Sequence, residues 1–153
     1  MSGIDKELDP IFDQFKKKRE EIMDKTQKVQ EAHIARSNEF RDLFKNIVHP
    51  VMVECVQYLD SKGEEFKNSK VKIHQNFPEI EFRVDYFSYT DINRSAEIIF
   101  SSKDDKVKIV EKDYKSADKE MFLERSELTT DFVTKKLTEF IKSFLNVDDV
   151  NKI

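Results

Sequence analysis

The sequence predicts an α+β domain carrying a helical arm, and three observations carry that prediction. No glycine or proline interrupts residues 11 to 49, a run rich in helix formers. The apolar pattern then changes to a period of two between Val71 and Ile109. A helical apolar face returns after Thr129. Helices segregated from a run of consecutive strands form the α+β pattern. The expected order is a long N-terminal helix, a second apolar helix, a four- to five-stranded antiparallel meander, and a C-terminal helix packed on the sheet.

Composition is compatible with one folded core. The chain has 153 residues, 38% apolar and 38% charged, against a usual charged share of roughly 25%. The charge is balanced, 27 basic against 31 acidic residues, net −4. Wholesale disorder needs low hydrophobicity with high net charge, so an ordered chain is expected. No apolar run reaches the ~18 residues of a membrane span. Met1 to Asp9 lacks the basic and apolar regions of a secretory signal. A cytoplasmic chain without membrane contact is therefore expected. Cys55 is the single cysteine, which excludes an internal disulfide and a cysteine-cluster metal site. Glycine occurs only at Gly3 and Gly63. That excludes glycine-rich phosphate loops and nucleophile elbows.

The first helix is expected to start at Asp9-Pro10, with Asp9 as N-cap and Pro10 at the first helical position. Steps of three and four then select Phe12, Phe15, Arg19, Ile22, Thr26, Val29, His33, Arg36, Phe40, Leu43 and Ile47, a heptad register. Seven of these eleven positions are apolar, and the polar ones crowd the middle. At ~1.5 Å per residue the run would be about 55 Å long, whereas a domain of this size is only ~30 Å across. Residues 1–39 are therefore assigned to an arm that projects, folds back or pairs with a partner. Residues 40–147 form the compact domain, and residues 148–153 a frayed tail.

From Phe40 the stripe broadens. Phe40, Phe44, Ile47, Val48, Val51, Met52, Cys55, Val56 and Leu59 describe a helix buried on one face. Pro50 implies a kink or a new start there. Gly63 is expected at a left-handed cap. Val71, Ile73 and Gln75 alternate with Lys72 and His74, which places His74 outward on a strand. Ile80, Phe82, Val84 and Tyr86 alternate with Glu81, Arg83 and Asp85. Ile98 and Phe100, then Val107 and Ile109, continue the pattern, and Met121–Leu123 allows a fifth strand after a loop at Ser116–Glu120. Short connections favour antiparallel pairing. Tyr86-Phe87-Ser88-Tyr89 breaks the alternation, which calls for a bulge or for aromatics on both faces. In the last helix Thr129 is the expected N-cap, Leu128 and Val133 a hydrophobic staple, and Phe132 to Leu145 the apolar face.

No motif demands chemistry. The histidines His33, His49 and His74 lack metal-ligand spacing, so no metal and no cofactor is expected. Cys55 reads as a buried thiol. Lys16-Lys17-Lys18-Arg19 is the one basic run, but Asp13, Glu20 and Glu21 flank it, which argues against nucleic acid. The expected function is a non-catalytic interaction or assembly module. Phe12, Phe15, Ile22 and Val29 would contact a second copy of the chain or another helical protein, as in a coiled coil. The alternative is a small ligand-binding protein or enzyme with a pocket between sheet and helices, drawing on Glu81, Arg83, Asp85 and Tyr86.

Overall fold

A computed structural model describes residues 3–90, 93–114 and 116–146. The expected tail at 148–153 lies outside the described residues. The chain divides into two units, Met1–Arg36 and Ser37–Ile153. Helix α1 spans Gly3–Leu43, a π-helical turn follows at Phe44–Val48, and α2 spans His49–Lys62. A 3-10 turn at Glu64–Phe66 leads to β1 (Lys70–Ile73), β2 (Glu79–Tyr86), β3 (Arg94–Lys103), β4 (Lys106–Lys112) and β5 (Lys119–Leu123). A second 3-10 turn, Arg125–Glu127, precedes α3 (Thr130–Phe144). The fold is α+β, as the change of period predicts.

In the first unit, the helix begins earlier than expected. Pro10 lies inside α1 rather than at its start. Proline withholds one N–H and crowds the carbonyl four residues back, but Ile4-Asp5-Lys6-Glu7-Leu8 can still coil upstream of it. All residues from Gly3 to Arg36 are exposed.

In the second unit, the five strands form one antiparallel sheet in sequential order β1-β2-β3-β4-β5. The register places Ile80, Phe82, Val84, Ala96, Ile98, Phe100, Val107, Ile109 and Leu123 on the inner face. All nine are buried against Phe40, Phe44, Val48 and Met52 from the N-terminal helices and Val133, Leu137, Phe140 and Phe144 from α3. Apart from Ala96, each of these side chains contributes about 1.5–3 kcal/mol by leaving water. Phe82 meets Phe140 edge-on, ring centroids 6.1 Å apart, which locks α3 to the sheet centre. Lys136 of α3 pairs with Glu111 of β4 at 3.1 Å at the margin of this layer.

The passage from α1 to α2 answers Pro50. In a straight α-helix its ring would meet the carbonyl of Asn46. The chain widens into a π turn just upstream, where the N–H of His49 donates to the carbonyl of Phe44. Phe44 and Val48 still reach the core, and Lys45 stays outside. α2 ends without a left-handed cap. Gly63 has φ 161° and ψ 157°, an extended conformation, because the chain straightens into the Glu64–Phe66 turn instead of curling back.

Three strand expectations are corrected. Ile73 is 52% exposed rather than inward and covered, because β1 is the sheet edge and the cover stops short of its end. His74 follows β1 instead of belonging to it, and it is half-buried. β5 starts at Lys119, so part of the expected Ser116–Glu120 loop is strand. The aromatic run needs no bulge: β2 stops at Tyr86, and Phe87 and Tyr89 meet edge-on beyond it, ring centroids 5.1 Å apart. β3 and β4 are joined by Asp104 and Asp105 alone, at φ 52° and 62°. Two positive φ values in a two-residue loop define a type I′ turn. At α3 the expected cap is present, with the Thr129 hydroxyl accepting from the Phe132 N–H at 3.1 Å. Leu128 and Val133 are both buried beside it, whereas Leu145 is partly exposed at the far end.

Candidate interaction surfaces

The arm carries a long apolar face. Phe12, Phe15, Ile22 and Val29 are 56%, 61%, 62% and 70% exposed. In amphipathic helices of globular proteins such side chains are ordinarily covered. The face is wider than the heptad reading indicates, because Ile4, Leu8, Ile11, Met23 and Ile34 are exposed as well. At ~100° per residue, Ile4, Ile11, Phe15, Ile22 and Val29 fall within roughly 40° of one another. Phe12, Met23 and Ile34 recur every 11 residues along one flank. That interval, about 3.67 residues per turn, follows an unstrained helix more closely than a heptad does. A single stepping register passes over these residues, and the 11-residue recurrence is the signal that finds them.

Polar groups on the arm sort by face. Thr26 lies within the stripe, but its hydroxyl donates to the Ile22 carbonyl at 2.9 Å. Its methyl is then what the stripe presents. Asp24 and Lys28 pair at 3.3 Å on the opposite side, and Gln27 donates to Glu31 at 3.1 Å beside the Met23 flank. Arg19 and His33 remain as polar interruptions of the stripe.

The second set of expected site residues is split by the pleat. Glu81, Arg83 and Asp85 share the outer face of β2, while Tyr86 points to the inner side. Arg83 reaches Glu97 at 3.4 Å and Asp85 at 3.8 Å, and donates to the Ser95 hydroxyl at 3.4 Å. His74 meets Glu79 at 2.7 Å and Glu81 at 3.9 Å, with its ring stacked on Phe77. Lys108 meets Glu120 at 3.4 Å farther along the face. Arg83 and Lys108 thus give Asp85, Glu97 and Glu120 ion-pair partners within the sheet surface. Tyr86 instead packs on Phe66, centroids 5.4 Å apart, and beneath the Arg94 guanidinium. The four residues therefore do not line a common pocket between sheet and helices. The void beneath α3, near Ala96, Tyr114 and Phe140, is about 20 Å³, room for about one water.

Cys55 is half-buried on α2 against the core. Burial, and secondarily the charge of Glu54, pushes its thiol up to about 11. Such a thiol is protonated at neutral pH and a poor nucleophile. Among the described residues no group of histidine, cysteine and carboxylate side chains could hold a metal ion. No helix among them is long and apolar enough to cross a membrane. No protein-family model matches the chain, and neither a curated protein nor a solved structure is significantly similar to it.

Proposed function

We propose that this chain is a non-catalytic interaction or assembly module, in which the helical arm pairs with a second helix. The observation that carries this reading is the exposed apolar face of α1, running from Ile4 to Val29 without a break in the helix. The partner helix belongs to a second copy of the chain or to another helical protein. Phe12, Phe15, Ile22 and Val29 supply the contact. Each would contribute about 1.5–3 kcal/mol on full burial, together of the same order as the loss of freedom on association, about 4–15 kcal/mol. Arg19 and His33 fix the register at some cost in stability. The paired carboxylates of the outer sheet face fit a binding scaffold better than a reaction centre.

The test is light scattering across a concentration series, together with partner binding, on the native chain and on Ile22→Asp/Val29→Asp. The expected result is a native mass above that of one chain, or a captured helical partner, with either lost in the variant. Unchanged mass and unchanged partner binding in the variant would overturn the reading.

A further inference from the structure

The end of α1, the π turn and the β1–β2 connection enclose a cleft of about 270 Å³, wholly within the second unit. Buried Phe44 and Ile80 contribute its apolar base, and Ile73 and Pro78 its walls. Arg41 and Lys45 line it from the helical side. They are one turn apart on the helix, so their side chains are neighbours. Nothing among the described residues accepts a hydrogen bond from the Nε of Arg41, although that atom is buried. The acidic residue of the lining, Glu79, is already engaged by His74 at 2.7 Å. The cleft thus combines an apolar base with the two cations Arg41 and Lys45, while the buried Nε of Arg41 is closed to it.

We infer that this cleft binds a small amphipathic carboxylate, an apolar body ending in one anionic group. A carboxylate matches the planar fork of arginine and accepts two parallel hydrogen bonds from it. Lys45 adds a second positive charge at the mouth. Phe44, Ile73, Pro78 and Ile80 suit an alkyl or aryl body, and the polar residues His74, Gln75 and Glu79 share the lining. A volume near the lower end of ligand pockets, roughly 300–1,000 Å³, restricts the occupant to a small molecule. This inference rests on the second unit and is independent of the arm.

The test is a titration of the full chain with 3-phenylpropanoate, followed by amide nitrogen–proton NMR. Saturable shifts are expected at Ile73, His74, Gln75 and Ile80. Arg41→Gln should weaken binding about tenfold or more, while Lys45→Gln, a change at an exposed residue, should weaken it less. The uncharged 3-phenylpropanamide should bind about tenfold more weakly to the native chain, a comparison that needs no variant to fold. Absence of saturable shifts at these residues, or equal affinity for acid and amide, would overturn the inference. Equal binding by a folded Arg41→Gln chain would overturn it too.

Discussion

The guanidinium of Arg94 donates to the hydroxyl of Tyr114 at 2.8 Å inside an aromatic enclosure. Its central carbon lies 5.3 Å from the rings of Tyr86 and Phe144 and 5.4 Å from that of Tyr114. Arg94 is only 7% exposed, at the inner-face start of β3. The rings stabilise the cation through their faces, and the hydroxyl satisfies one of its donors. Tyr114→Phe keeps the ring and removes the acceptor. It should destabilise the domain by about 1–3 kcal/mol, seen as a lower denaturant midpoint at unchanged slope. Adding Arg94→Met should recover part of the loss, because the stranded donor is then gone.

The β3–β4 turn makes a second case. Asp104 and Asp105 occupy the left-handed region without glycine. Aspartate tolerates it better than most residues, since its side chain can bond locally. Asp104→Ala should lower stability by about 1 kcal/mol, whereas Asp104→Gly should not. Thermal unfolding of the two variants side by side measures the difference.

Cys55 gives a pH dependence with a definite sign. Its folded pKa, about 11, lies above the ordinary thiol value of 9.0. The folded state therefore holds this proton more tightly. The corresponding stability is fully present below pH 9 and is lost as pH rises from 9 to about 11. Iodoacetamide at pH 8 should modify the native chain about tenfold or more slowly than the urea-unfolded chain. Equal rates in the two states would contradict this assignment.

Legibility from sequence varied with how local the signal was. β2 was fully legible, because Ile80, Phe82 and Val84 alternate with charged residues over a strand covered along its length. The Thr129 cap was legible because it acts over three residues. β1 misled at Ile73, since periodicity reports an apolar side but not how far the cover extends. The aromatic enclosure was not legible at all. It gathers Tyr86, Arg94, Tyr114 and Phe144 from four places in the chain, and an arginine carries no weight in an apolar pattern. Arg41 is hidden in the sequence for a similar reason. It lies off the heptad positions, and its surroundings come from the β1–β2 connection more than thirty residues later.

The meander order has a consequence for the newly made chain. Each strand pairs with its sequence neighbour, so the sheet can assemble as it is synthesised. Its inner face cannot close at that pace. Val133, Leu137, Phe140 and Phe144 arrive last among the described elements, yet they cover Phe82 and its neighbours. Until α3 emerges from the ribosome, a strip of apolar strand faces water. Translation that stops short of Thr130 would leave that strip open for good, and the product would be prone to clump or to be degraded.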